Sequence, residues 1–183
     1  MRDDMPTTAA VVYETGEGTT TDELLSGLAH EYLRGGFKLA GIVQRSVDRP
    51  DRCACDMVAT DLTSGQDVSL SEDRGAMATG CRLDTSQLER LAGEALASLE
   101  AGANILIVNK FGKQEAAGAG FRSVIAEAAG RRVPTIVAVN RGYVDEWRAF
   151  AGAMAVELRP DVTQLRQWLA SRLAESRPCD ASA

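Results

Sequence analysis

Short apolar runs alternate with helical patterns at the start of the chain. Residues 9–13 (AAVVY) and 37–45 (FKLAGIVQR) are typical of buried strands, and the segment between them carries leucines at helical spacing. Thr21 or Asp22 is the predicted cap of this helix, and Gly35 with Gly36 is its predicted end. This pattern predicts a strand–helix–strand unit with two parallel strands.

The second half of the chain continues the alternation. Residues 104–109 (NILIVN) and 133–140 (VPTIVAVN) predict buried strands, and residues 154–158 (MAVEL) predict an edge strand. Asp84 or Thr85 is the predicted cap of the first helix in this half, because short polar side chains bind the free N–H groups of a first turn. Helices are predicted at residues 85–102, 118–132, 144–152 and 161–176.

A β-hairpin is predicted between these two halves. Residues 55–73 contain two short alternating runs around Thr63, Ser64 and Gly65. The whole pattern predicts an α/β fold with three layers, in which a mostly parallel sheet carries helices on both faces and an inserted antiparallel hairpin. We expect one domain over residues 8–174 and a flexible tail over residues 175–183.

Composition and charge argue against several classes of function. The 183 residues carry a net charge of -6, which argues against a general nucleic-acid binder because that function needs a clustered basic surface. No apolar run is long enough to span a bilayer, and the acidic N-terminal segment does not resemble a signal peptide. We therefore expect a cytoplasmic protein without a membrane or nucleic-acid partner.

The loop after the first predicted strand is the first candidate site. Ligands of open α/β sheets bind beyond the carboxyl ends of the strands, and this loop offers Gly16, Gly18, Thr19 and Thr20 there. It lacks the lysine of the phosphate-binding pattern G-x-x-x-x-G-K-[ST], although backbone N–H groups at a helix start can still bind an anion. An ordinary strand-to-helix loop with a threonine cap is the alternative interpretation.

The loop after NILIVN is the second candidate site. Lys110 and Lys113 lie where a buried strand reaches the surface, and Gly112 lies between them. Lysine ammonium groups are suited to phosphate and other oxyanions, and Glu115 could position a lysine or bind a cation. The alternative is a solvated loop with a surface ion pair, which would contribute little stability.

The segment before the helix at residue 85 is the third candidate. Arg74 and Arg82 lie among glycines there, and guanidinium groups match the oxygens of an oxyanion. The alternative is a connector between the hairpin and the helix, with Asp84 as the helix cap. Three cysteines, Cys53, Cys55 and Cys81, are candidate metal ligands or redox-active residues, although buried structural cysteines are more common. The one histidine, His30, lies in a helical pattern, which argues against a histidine-based zinc site.

Several segments together resemble one bacterial family of unknown function. They are VVYETGEG, GIVQR, CDMVATDL, LSEDRGAMATGCRLD, IVNKFGKQEAAGAGFRSVIAEA and VNRGYVDEWRAFAGAMAVEL. Members of that family are encoded near genes for molybdate transport or molybdenum enzymes, and they are distantly similar to small P-loop nucleoside-triphosphatases of the thermophilic type. The resemblance implies a P-loop-like fold and a link to molybdenum homeostasis, without a known reaction.

The chain departs from the triphosphatase pattern at two charged positions. The phosphate-loop lysine is missing, and Asn109 with Lys110 replaces the acidic strand end that positions Mg²⁺. We therefore expect a protein that binds an oxyanion, molybdate or tungstate first, through a degenerate P-loop-like site. The alternatives are a nucleotide-binding protein or nucleoside-triphosphatase with Mg-nucleotide, and a cysteine-dependent accessory protein that docks on a molybdenum enzyme or transporter. Association of the chain with itself is compatible with its alanine- and glycine-rich helices.

Overall fold

A seven-stranded sheet forms the centre of the protein. The computed structural model describes residues 5–47, 56–72 and 83–176. The strands are β1 (Thr8–Tyr13), β2 (Leu39–Val47), β3 (Asp56–Asp61), β4 (Asp67–Ser69), β5 (Ile105–Phe111), β6 (Thr135–Asn140) and β7 (Ala155–Leu158). Their order across the sheet is β4-β3-β2-β5-β6-β1-β7.

The sheet is mostly parallel, as predicted. β2, β5, β6, β1 and β7 run in one direction, so the carboxyl ends of five strands meet at the same edge. β3 and β4 form the antiparallel hairpin that extends the sheet beyond β2. The predicted hairpin and the predicted edge position of β7 are both confirmed.

Helices cover both faces of the sheet. They are α1 (Gly18–Arg34), α2 (Thr85–Glu100), α3 (Lys113–Ala116), α4 (Arg122–Gly130), α5 (Val144–Ala151) and α6 (Val162–Ser176). Leu25 of α1 and Leu165 of α6 are buried in one core. Leu91 of α2, Val124 of α4 and Trp147 of α5 are buried in the other core, which confirms the three-layer arrangement.

Gly41 permits a close approach between the two central strands β2 and β5. Its φ is +99°, and a Cβ atom at this position would overlap the carbonyl oxygen of Ile107. Glycine alone combines this backbone conformation with the missing side chain, so the position requires it.

Two details differ from the prediction, and one of the two predicted caps of α2 is confirmed. Helix α1 begins at Gly18 after Glu17, so Thr21 and Asp22 lie inside the helix and do not cap it. β5 continues to Phe111, and the short helix α3 follows it directly. Asp84 is the cap of α2, because its side chain accepts the backbone N–H groups of Ser86 and Gln87.

No helix within the described ranges is both long and apolar enough to cross a bilayer.

Candidate functional site

A cavity of about 290 Å³ lies at the carboxyl edge of the parallel strands. β1, β6 and β5 are neighbours in the sheet, so the loops that follow them surround the same space. Its walls are Tyr13, Gly16, Gly18, Lys110, Phe111, Gly112, Asn140 and Tyr143. The cavity therefore brings together the first two loops that the sequence singles out.

Lys110 supplies positive charge to this cavity. It is exposed near the end of β5, whose preceding five residues are buried. Gly16 and Gly18 belong to the turn that enters α1, a helix of 17 residues. The N-terminus of such a helix presents free backbone N–H groups and a partial positive charge, so both features favour an anion.

Tyr13 forms the wall between the loop and the sheet. Tyr13 is 4% exposed, and its ring comes within 3.9 Å of the position that a Cβ atom at Gly18 would take. Burial and the neighbouring Asp22 carboxylate raise the pKa of the Tyr13 hydroxyl to about 12, against the lowering effect of a hydrogen bond with the Asn140 side chain. The hydroxyl therefore keeps its proton at neutral pH and can donate it to a ligand oxygen.

Asp22 and Asn109 form a buried polar pair between α1 and β5. Asn109 Nδ2 donates to Asp22 Oδ1 at 3.0 Å and lies 3.4 Å from the Gln44 carbonyl oxygen. Burial raises the pKa of the Asp22 carboxyl, while the charge of Lys110 and the hydrogen bond from Asn109 oppose that rise. The pair ties the start of α1 to the strand that carries Lys110.

The oxygen of the Asn109 amide has no hydrogen-bond partner among the described residues, although the side chain is fully buried. If Asp22 is ionised, the NH₂ group of Asn109 must face it, because a carboxylate only accepts hydrogen bonds. A protonated Asp22 could instead donate to the amide oxygen after a half-turn of the amide. An ionised Asp22 therefore requires the observed amide orientation, whereas a protonated Asp22 is compatible with both orientations.

Glu115 holds the loop after β5 in its conformation. The side chain is 4% exposed, and its two oxygens accept the backbone N–H groups of Gly112 at 3.0 Å and Phe121 at 3.1 Å. Burial raises the pKa of the Glu115 carboxyl, and these two hydrogen bonds oppose the rise. Gly120, with a φ of +59°, leaves the space that the carboxylate occupies.

The loop after β1 is held by exposed groups. Glu17 Oε2 accepts the Glu14 backbone N–H at 2.9 Å, and Arg141 donates from Nη2 to Glu14 Oε1 at 2.8 Å. Both side chains of the ion pair are more than half exposed, at 57% and 58%. This ion pair also links the loop after β1 to the turn after β6.

The cavity contains only part of the residue set that the sequence predicts. Gly16, Gly18 and Lys110 lie in its wall, while Thr19 and Thr20 are exposed in the adjacent first turn of α1. Lys113 and Glu115 line a neighbouring cavity. Arg74, Arg82, Cys53, Cys55 and Cys81 fall outside the described residues, so their predicted roles stay predictions. Among the residues described, no three His, Cys, Asp or Glu side chains cluster as a metal site.

Four residues belong to the site or support it without having been predicted from the sequence: Tyr13, Asp22, Asn140 and Tyr143. Asp22 has the sequence signature of a helix cap, and its partner Asn109 is 87 positions away. The sequence does contain a signal for Asn140, because this residue ends an apolar strand in the same way as Asn109 does.

The sequence matches the family described as "Protein of unknown function (DUF2478)" over residues 8–168. The chain belongs to that family. This confirms the resemblance that the sequence motifs indicated, and the matched range of DUF2478 contains every element that surrounds the cavity.

One curated relative of this DUF2478 chain is a transport protein. It is the molybdenum import ATP-binding protein ModC 2 of Bradyrhizobium diazoefficiens, which is 30% identical over 160 residues. The match covers 87% of this chain but spans only 18% of that relative.

A solved structure shares the fold. THEP1 from the hyperthermophile Aquifex aeolicus aligns with a TM-score of 0.57 at 18% sequence identity, over 93% of this chain and 99% of that one. The chain therefore has a P-loop-like α/β fold related to that of THEP1, and the predicted fold class is confirmed.

Proposed function

We propose that this protein binds a small oxyanion at the carboxyl edge of its sheet. The observation that carries the proposal is the cavity of about 290 Å³, in whose wall Lys110 meets Gly16 and Gly18 at the start of α1. A lysine ammonium group, free N–H groups at a helix start and the Tyr13 hydroxyl are all donors, which an oxyanion requires.

The charges at this edge are exchanged relative to a phosphate-binding loop. In such a loop the lysine lies at the start of the helix, and this chain has Thr19 at that position. A carboxylate at the end of a strand holds the Mg²⁺ ion, and this chain has Asn109 there. Here the cation, Lys110, is on the strand side, and the carboxylate, Asp22, is on the helix side. Lys110 opposes a divalent cation at the strand end, so we propose that the anion binds without Mg²⁺.

Molybdate and tungstate are the first oxyanions to test, and phosphate is the next. The name of the relative from Bradyrhizobium diazoefficiens supports molybdate, because it describes a protein of molybdenum import. Both molybdate and phosphate are tetrahedral dianions that accept hydrogen bonds, so the proposed donors would suit either one.

The test is isothermal titration of the purified protein with molybdate, tungstate, phosphate and sulfate. We expect Lys110→Ala to weaken binding by about 10- to 100-fold, because a hydrogen bond to a charged group contributes about 1.5–3 kcal/mol. Lys38→Ala is the matched control, since Lys38 is also exposed but lies next to the opposite edge, before β2. The absence of binding at millimolar concentration, or equal losses in both variants, would contradict the proposal.

Nucleotide binding is the second candidate function. The THEP1-like fold and the ATP-binding protein among the relatives favour it. It predicts that the protein with Mg²⁺ binds ATP or GTP more tightly than without Mg²⁺ and releases phosphate. If Mg²⁺ leaves nucleotide affinity unchanged and phosphate release stays at background, this candidate fails while oxyanion binding stands.

A further inference from the structure

A second cavity of about 240 Å³ adjoins the first. Its walls are mainly apolar and include Ile42, Met57, Leu83, Leu88 and Phe121. Lys110, Gly112 and Tyr143 line both cavities, so the two spaces share this part of their lining. A donor-rich compartment and an apolar compartment therefore adjoin at Lys110.

A bare oxyanion would use only the first of these compartments. It has no apolar surface to bury, and apolar burial contributes about 25 cal/mol per Å². Binding pockets for small organic molecules usually measure about 300–1,000 Å³ and combine apolar walls with a few polar groups. Each cavity alone is smaller than that range, whereas the pair supplies both kinds of surface.

The polar residues of the second cavity are consistent with an uncharged apolar group there. Both carboxylate oxygens of Glu115 already accept backbone N–H groups, so this residue has no need of a ligand donor. Lys113 is exposed and Gln114 is partly exposed at the same cavity. Their flexible side chains can stay in water while the apolar walls contact a ligand.

We propose that the natural ligand is an organic anion, a phosphomonoester or similar oxyanion ester whose apolar or aromatic group enters the second cavity. This inference rests on the proposed function, because the anionic end is held by Lys110 and the Gly16–Gly18 turn. The apolar group supplies affinity and selectivity that an inorganic oxyanion cannot obtain.

The test compares inorganic phosphate with phenyl phosphate by isothermal titration at constant pH and salt. We expect phenyl phosphate to bind about tenfold more tightly, since burial of about 60 Å² of ring surface contributes about 1.4 kcal/mol. Adenosine monophosphate is a third probe, and an advantage of either ester over inorganic phosphate supports the inference. All of these ligands should lose affinity in Lys110→Ala.

Met57→Phe is designed to fill the second cavity from strand β3, and Met57→Leu is its volume-conserving control. We expect the phenylalanine variant to lose the phenyl phosphate advantage while its affinity for inorganic phosphate is unchanged. The leucine variant should keep both affinities. As a measurement on the unmodified chain, the methyl NMR signal of Met57 should shift with phenyl phosphate and not with inorganic phosphate.

Two results would overturn the inference. The first is that both esters bind no more tightly than inorganic phosphate, while the binding of inorganic phosphate still depends on Lys110. The proposed function would then stand without this inference. The second is a Met57 methyl signal that stays fixed while phenyl phosphate binds. If none of the three ligands binds, the proposed function itself fails, and the inference fails with it.

Discussion

The two loops that border the candidate site are supported in different ways. The loop after β5 is fixed by the buried carboxylate of Glu115, which accepts two backbone N–H groups. The loop after β1 is fixed by the exposed carboxylates of Glu14 and Glu17. A buried, fully paired carboxylate confers rigidity, whereas an exposed ion pair contributes little. The comparison indicates that the backbone after Lys110 is held more rigidly than the glycine turn after β1.

Glu115→Ala is expected to have the largest effect. The variant leaves the N–H groups of Gly112 and Phe121 without their acceptor in a buried region, and an unsatisfied buried donor costs about 1–3 kcal/mol. We predict a loss of about 3 kcal/mol in the free energy of unfolding, measured with urea. Gln114→Ala, in the same turn, is the control and should lose far less. Equal stabilities of the two variants would show that Glu115 does not hold the loop.

Asp22→Asn tests the link between the two loops. The folded-state pKa of Asp22 is raised, so the native protein retains a proton where the unfolded chain has lost it. The carboxyl therefore makes the protein less stable as pH rises from about 3.8 through the folded-state pKa, and the loss is complete above it. Asparagine at this position can still accept the Asn109 hydrogen bond.

We predict that Asp22→Asn flattens this part of the stability profile and raises stability at neutral pH, as measured by urea unfolding between pH 3.5 and pH 8. The variant should also bind oxyanions more tightly, because a negative charge near Lys110 is removed. An unchanged pH profile would show that folding does not shift the Asp22 pKa, and a variant that is less stable only at neutral pH would show that ionised Asp22 stabilises the fold.

Arg141→Ala should have the smallest effect on stability. Its ion pair with Glu14 is exposed, and such pairs contribute about 0–1 kcal/mol. We predict a decrease below about 0.5 kcal/mol, similar to that of Arg90→Ala, which removes another exposed ion pair with Glu94. A decrease above about 1 kcal/mol would show that the loop after β1 is as firmly supported as the loop after β5.

The sequence predicts the sheet well because buried parallel strands form continuous apolar runs. NILIVN and VPTIVAVN have this form, and turn residues define the hairpin between β3 and β4. The Asp22–Asn109 pair could not be predicted in this way, because it depends on a contact between α1 and β5 that no local pattern encodes. Asp22 looks like a cap, and only the earlier start of α1 at Gly18 places it inside the helix.

The candidate site was predicted by position more than by motif. The rule that ligands bind beyond the carboxyl ends of parallel strands was enough to select Gly16, Gly18 and Lys110. It could not select Tyr13, because this residue continues the apolar pattern of β1 and only its hydroxyl is polar. Helix α3 was also missed, because four residues carry no periodicity to detect.

Another cavity at the opposite edge of the sheet is the alternative position for an anion. It measures about 510 Å³, and its walls include Gly35, Asn104, Arg131 and Arg132. The Arg131 side chain is already paired with Glu127 at 2.7 Å, which reduces its attraction for a ligand. This cavity therefore provides an internal reference for locating the bound anion.

The most direct test of the central claim is a titration of ¹⁵N-labelled protein with molybdate and phosphate, followed through its backbone amide signals. We predict that the largest saturable shifts occur at Gly16 and Gly18, with smaller ones at Lys110 and Gly112. We also predict that Lys110→Ala raises the ligand concentration at half of the maximal shift by about 10- to 100-fold. Shifts concentrated at Gly35, Asn104 and Arg131, or a complete absence of saturable shifts at the carboxyl edge, would contradict the central claim.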